Sequence, residues 1–424
     1  MRNILLLTLV SFLTACGGGG GGSSSTTAPV APAVTQVTTY QNVDLASQIF
    51  NTQVADLNGD GLEDVVVSGW AVEPTGYANA IHGKIPVKIL IQQSDGTLRD
   101  QTDALLGAGN NLIYGSQRII IEDFDNDGKP DIFLGGFQDS PSMPTNCCNP
   151  TTSVMLWNNG TNFTRYDFSD TVWAHAVCTG DLYNTGRKDI IMGGTGTNAN
   201  NIYVNNGGRN FTLTHTAQFI SSGGACAVVK DVATGSIGIV TTNISYAMIA
   251  GYNAAIQMFD SNMNFTGHIG LVGAETNAHD IVNIIQTDLN GDGLEDLVLT
   301  DNRTDHNDGG FTALINSGNF TYTNQTSTYF PNQANNYYFQ YHTRLLTVNG
   351  TPSIFVDNVD PNWNFSTLPD LWSIGATIQP SMQSQLSTDI GTYKQPTLYK
   401  TSTGYNLLLI SGSSGTFTLY TTAL

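Results

Sequence analysis

A nine-residue acidic segment occurs twice in almost identical form, far apart in the chain, and it constrains the fold more than any other feature. Asp56-Leu-Asn-Gly-Asp-Gly-Leu-Glu-Asp64 runs into Val-Val-Val, and Asp288-Leu-Asn-Gly-Asp-Gly-Leu-Glu-Asp296 runs into Leu-Val-Leu. A third copy, Asp123-Phe-Asp-Asn-Asp-Gly-Lys-Pro-Asp131, precedes Ile-Phe-Leu, and a worn one, Asp181 to Asp189, precedes Ile-Ile-Met. Fainter echoes begin at Asp231, Val348 and Lys400. The seven anchors are separated by 67, 58, 50, 57, 60 and 52 residues. Spacing of this size fits a repeat architecture in which each unit is one small antiparallel sheet. It also explains the length, since roughly 390 residues after the leader exceed what one ordinary core supports.

Each anchor follows a short apolar strand, such as Ile119-Ile-Ile121, and precedes a second one. A third strand recurs downstream, as in Val154 to Phe163, Ile202 to Phe211 and Ala313 to Phe320, each with an Asn/Gly turn at its end. Asn-Gly after an apolar run marks a hairpin, so the expected unit is a four-stranded antiparallel meander. These residues resemble the FG-GAP/VCBS repeats, a family that includes the head of integrin α chains and many bacterial surface proteins. The resemblance implies an all-β fold over residues 35–424, a seven-bladed β-propeller of four-stranded antiparallel blades. After the last anchor only two strands' worth of chain remains. The missing outer strand is expected from Thr35 to Val43, so the N-terminal strand closes the ring by pairing with the last blade.

The acidic loops offer hard oxygen ligands without His or Cys, a donor set that selects Ca2+ over zinc. The sets are Asp56, Asn58, Asp60, the Leu62 carbonyl and Asp64; Asp123, Asp125, Asp127, the Lys129 carbonyl and Asp131; and Asp288, Asn290, Asp292, the Leu294 carbonyl and Asp296. An EF-hand would need a Glu at the twelfth position between helices. The residues there are Val67, Leu134 and Leu299, within apolar strands. The Asp181 loop has Tyr183 and Thr185 at two ligand positions and is expected to be metal-free, or to bind weakly at best. About three structural calcium ions are therefore expected, the alternative being unmetallated Asn/Asp turns. The resemblance implies that these loops lie opposite the usual ligand face.

The N-terminus reads as an export signal over residues 1–15, with Arg2 before an apolar run from Ile4 to Leu13. Leu13-Thr14-Ala15-Cys16 resembles the bacterial lipobox, which implies diacylation of Cys16. An ordinary cleaved signal is the other reading. Residues 16–34 are a Gly/Ser/Thr/Pro tether with a reach of roughly 25 Å. The expected location is the bacterial envelope, lipid-anchored, with Gly17 resembling the sorting pattern of outer-membrane lipoproteins. Lys and Arg number 15 against 34 Asp and Glu, which disfavours nucleic acid and favours cations.

The loops opposite the metal sites hold the unusual side chains: Trp70, the Cys147-Cys148 pair, His306, Trp363 and Trp372. His175, His342, His279 and Arg118 are expected around the channel mouth on the same side. Exposed aromatics suit glycan stacking or protein contact; the competing reading is gap-filling between blades. Cys147 with Cys148, and Cys178 with Cys226, are candidate disulfides, with reduced thiols or other pairings left open. No Ser/His/Asp order, nucleotide loop or separate carboxylate pair is present. The expected function is a membrane-anchored binding or adhesion module for a glycan or protein ligand. A polysaccharide-acting enzyme or an envelope assembly scaffold is the alternative.

Overall fold

The second strand of each repeat has an unbroken apolar run at its centre, and the reason is that both of its faces are buried. Side chains alternate across a strand, and in Val65-Val66-Val67 the outer two enter one apolar cluster while Val66 enters another. Leu297 and Leu299 likewise part from Val298, and Leu407 and Leu409 from Leu408 and Ile410. Each sheet is thus a middle layer between two cores.

The computed structural model describes residues 35–43, 50–69, 84–136, 151–172, 174–194, 200–214, 223–243, 252–271, 279–303, 309–331, 343–348, 351–356, 370–374, 394–413 and 415–423. All lie in the compact unit Pro32–Leu424. The described residues form six four-stranded antiparallel sheets, a three-stranded one and a two-stranded ribbon. In chain order the first sheet is Phe50–Ala55, Asp64–Gly69, Lys88–Gln92 and Leu98–Asp100. The second is Ser116–Glu122, Asp131–Gly136, Thr151–Asn158 and Phe163–Val172. The third is Ala174–Gly180, Asp189–Gly194, Asn200–Gly207 and Asn210–Thr214. The fourth is Gly223–Lys230, Ile237–Asn243, Ala254–Phe259 and Phe265–Gly270. The fifth is His279–Thr287, Asp296–Arg303, Gly309–Asn316 and Tyr322–Asn324. The sixth has Thr343–Val348, Thr351–Val356 and Asp370–Ser373. The seventh has Lys394–Lys400, Tyr405–Ser413 and Gly415–Ala423, with Thr35–Val43 as its outer strand.

That outer strand pairs with the last one from Thr35 opposite Thr421 to Val43 opposite Gly415, so one sheet contains both ends of the described chain. Each of the seven apolar clusters is shared by two sheets. Six join sheets consecutive in sequence, and one joins Tyr399, Leu408 and Leu419 of the seventh to Val65, Val67 and Leu90 of the first. Polar bonds cross the same seam: Thr38 Oγ1 donates to Asp100 at 2.7 Å and accepts from Lys88 Nζ at 3.3 Å, and Tyr399 donates to the Gly96 carbonyl at 3.1 Å. Among the described residues no helix is long and apolar enough to cross a membrane.

Candidate metal loops and central cavity

The loop between the first and second strands has one design in four sheets. The first Asp gathers backbone N–H groups: Asp56 accepts from Gly59, Asp60 and Gly61 at 2.7 to 3.0 Å, and Asp288 accepts from Gly291, Asp292 and Gly293 in the same way. The ninth Asp is buried and accepts two backbone bonds, one from the second residue of its own loop and one from the third strand. Asp64 takes Leu57 N–H at 2.9 Å and Gln92 N–H at 2.8 Å. Asp131 takes Phe124 and Asn158, and Asp296 takes Leu289 and Asn316. The fourth and sixth positions adopt left-handed backbone, occupied by Gly59 and Gly61, Asn126 and Gly128, and Gly291 and Gly293. Asn is among the few side chains that tolerate this conformation.

The worn loop keeps the scaffold without the ligands. Asp181 still accepts from Thr185 and Gly186, Asp189 from Leu182 and Asn205, and Asn184 and Gly186 hold the two left-handed positions. The scaffold is therefore built by the carboxylate–backbone bonds, and the metal-ligand set is a separate property laid upon it. In the fourth sheet Asp231 instead caps a short turn with Thr234 and accepts Asn319 N–H from the fifth sheet at 3.2 Å.

Burial dominates the electrostatics of the ninth Asp. It pushes the carboxyl of Asp64 up to about 6, of Asp131 to about 7 and of Asp189 to about 6, against the backbone bonds that pull the other way. Such desolvated carboxylates are relieved by a nearby cation. In the second sheet ligand oxygens of Asp123, Asp125 and Asp131 lie within 4.8 Å of one another, a spacing and donor type that fit a hard divalent cation. Lys129, expected to contribute its carbonyl, also places Nζ on Asp127 Oδ2 at 2.7 Å and holds that carboxyl below its ordinary range.

The first strands enclose a cavity of about 140 Å³, lined from the first, second, third, fifth, sixth and seventh sheets by residues including Thr52, Arg118, Val177, Asn283, Arg344 and Thr397. Arg118 does more than stand at its rim. Its guanidinium donates to the carbonyls of His175, Gly224 and Val282 at 3.0, 2.9 and 2.7 Å, crossing to the third, fourth and fifth sheets. Burial and this neighbouring charge lower the pKa of His175 to about 3. On the other side, Glu63 accepts from Arg344 of the sixth sheet and from Lys400 N–H of the seventh.

A disulfide joins Cys178 and Cys226 across the first strands of the third and fourth sheets, with Cα atoms 5.5 Å apart. Trp372, expected in a loop, lies in the strand Asp370–Ser373 opposite Ile354, because the chain there pairs with Thr351–Val356 as the third strand of the sixth sheet. His279 opens the first strand of the fifth sheet. Cys16, Trp70, Cys147, Cys148, His306, His342 and Trp363 lie outside the described residues. One set of contacts escaped the sequence reading. Asn158 Nδ2 donates to Pro130 O in its own sheet and to Leu57 O of the first-sheet loop, and Asn205 does the same to Lys188 O and Phe124 O. Gln92 bridges Glu63 O and Lys400 O. The signal was an amide at or near the end of the third strand in the first, second, third and fifth sheets, Gln92, Asn158, Asn205 and Asn316.

These sheets and loops define an all-β protein assembled from repeated antiparallel meanders, four of them with an acidic first hairpin of one design. FG-GAP-like repeats are found in the first part of the chain: the family described as an FG-GAP-like repeat matches residues 56–134 and 123–192. No curated protein shows significant sequence similarity to the chain. Among solved structures the chain is similar to BBS1N in its complex with ARL6DN, at 10% identity and TM-score 0.44, covering 92% of this chain and 96% of that one. It is also similar to an AofleA mutant from Arthrobotrys oligospora, at 11% identity and TM-score 0.42 over 83% and 88% of the two chains. A third similarity is to the Dos1 propeller, at 10% identity and TM-score 0.41 over 91% and 95%.

Proposed function

We propose that the seven sheets are the blades of one β-propeller, closed by Thr35–Val43 and stapled by calcium in the loops that begin at Asp56, Asp123 and Asp288. On this reading it is a binding or adhesion module, lipid-anchored through Cys16 to the bacterial envelope, that presents the loops opposite the calcium sites to a glycan or protein. The observation that carries the reading is the set of buried, preorganised carboxylates, repeated in three sheets around one cavity. In those sheets the ion's ligands would be Asp56, Asn58, Asp60, Leu62 O and Asp64; Asp123, Asp125, Asp127, Lys129 O and Asp131; and Asp288, Asn290, Asp292, Leu294 O and Asp296. Calcium would supply charge compensation, since its role in such a loop is structural. Binding is favoured over hydrolysis by the cavity's polar groups, which are amides, hydroxyls and the two guanidiniums; glycoside cleavage uses a carboxylate pair.

The test is thermal unfolding of the full chain with calcium and with chelator, followed by a glycan and envelope-protein screen in calcium. A calcium-dependent rise in Tm, diminished in Asp60→Ala and in Asp292→Ala, is expected. An unchanged Tm on calcium addition would remove the metal from this reading.

A further inference from the structure

The second metal loop differs from its siblings in one ligand. Asn58 and Asn290 occupy the third position in the first and fifth sheets, where the second sheet has Asp125. In all three loops Oδ1 of this residue points inward and accepts the N–H two residues on, from Asp60, Asp127 or Asp292. The outward atom is treated differently. The amide Nδ2 of Asn58 and of Asn290 donates to Asp60 and Asp292 at 3.0 and 2.8 Å. Oδ2 of Asp125 instead accepts Arg209 Nε at 2.7 Å.

Arg209 belongs to the neighbouring sheet. It sits in the turn between Asn200–Gly207 and Asn210–Thr214 at a left-handed φ of 64°. Its guanidinium carbon lies 5.4 Å from the centre of the Trp157 ring, and Nη1 donates to Asn159 Oδ1 at 2.7 Å. The Asp125 side chain is only 9% exposed and that of Arg209 31%. The corresponding turn of the second sheet, which touches the first loop through Asn158, reads Asn159-Gly160-Thr161 and brings no cation. An additional carboxylate and an additional guanidinium thus occur together. The guanidinium offsets the additional carboxylate, and Lys129 on Asp127 brings a further positive charge where the siblings have Leu62 and Leu294.

We propose that Arg209 is a positioning residue of the second metal loop: it holds the outward oxygen of Asp125 and leaves the inward oxygen to a divalent cation. It thereby couples occupancy of this loop to the seam between the second and third sheets. This rests on the calcium reading above. Outer partners of metal ligands act in this way, by orienting the ligand and setting its charge.

A double-mutant cycle on the full chain tests it, with calcium titrations by calorimetry and with terbium luminescence excited through Trp157 to report the second loop. Asp125→Asn alone strands the guanidinium beside the ion and is expected to weaken binding at this loop about tenfold. Asp125→Asn with Arg209→Gln gives the third position the siblings' amide without a guanidinium beside it and is expected to return affinity to within about threefold of wild type. Calcium uptake by the other two loops shows in each variant that the body is folded. A double variant no better than Asp125→Asn overturns the inference. So does a gain of about tenfold in Arg209→Gln alone, the behaviour of a guanidinium that merely blocks the site. Two ions bound with the second loop silent in the wild type overturns it too, while leaving calcium at the siblings intact. No calcium bound by the wild type removes the underlying reading as well.

Discussion

Asp189 and Asp60 separate two jobs that one acidic loop combines. Asp189 sits in a loop whose ligand set is broken, yet it receives the N–H groups of Leu182 and Asn205. Asp189→Ala would leave both donors without that acceptor, and a loss of about 2–4 kcal/mol is expected in urea unfolding, equal with and without calcium. Asp60 is exposed and bonds only to nearby groups of its own loop. Asp60→Ala is expected to cost less than about 0.5 kcal/mol in chelator while reducing the calcium-induced gain. The reverse pattern would mean that the scaffold and the ligand set are not separable. His175 gives a pH dependence of known sign. The folded pKa is lowered from 6.5 to about 3, so between these values the unfolded chain binds a proton that the folded one does not. Its contribution is complete above pH 6.5 and falls as the pH drops below it, by up to about 1.4 kcal/mol per unit. His175→Gln is expected to show a shallower acid slope in that window in chelator. Parallel slopes for the two proteins would assign the acid sensitivity elsewhere.

At the scale of elements, most strands were legible because their residues answer to local rules. Ile132-Phe133-Leu134 and Val65-Val66-Val67 are apolar throughout because two faces are buried, and the acidic loops stand out because Gly and Asn must occupy fixed left-handed positions. The amides that end the third strands were legible only as turn residues. The partner of Asn158 is Leu57, 101 residues away, and no local pattern encodes a contact of that range. Asn158→Ala is expected to cost about 1–3 kcal/mol, since the buried carbonyls of Leu57 and Pro130 lose their donor. Asn206→Ala, whose exposed amide reaches only Thr212, is expected to stay within about 0.5 kcal/mol. Equal losses in the two would show that the amide bridge adds nothing across the seam.

At the scale of the whole molecule, strand arithmetic located the pairing of Thr35–Val43 with Gly415–Ala423, because too little chain follows Lys400 to complete a sheet. Arithmetic could not find Arg118, whose three carbonyls lie 57, 106 and 164 residues further on. Nor could it find Glu63 joining Arg344 to Lys400. A chain starting after Val43 would expose the edge of Gly415–Ala423, and an exposed edge recruits strands from other molecules. A lower Tm and concentration-dependent light scattering are expected for it; a monomer that melts with the wild type would show that the outer strand is dispensable.

The same pairing has a mechanical side. Because the first strand of the body is the outer strand of its last sheet, tension on the N-terminal side of Thr35 meets this strand, where Val37 alone among the described side chains leans on an apolar cluster, before it meets any inner strand. It enters the hydrogen-bond ladder at Thr35 and Thr421 and runs toward Val43 and Gly415. That ladder stands in series with the body like a fuse, and how hard the body can be pulled is set by nine residues at its edge.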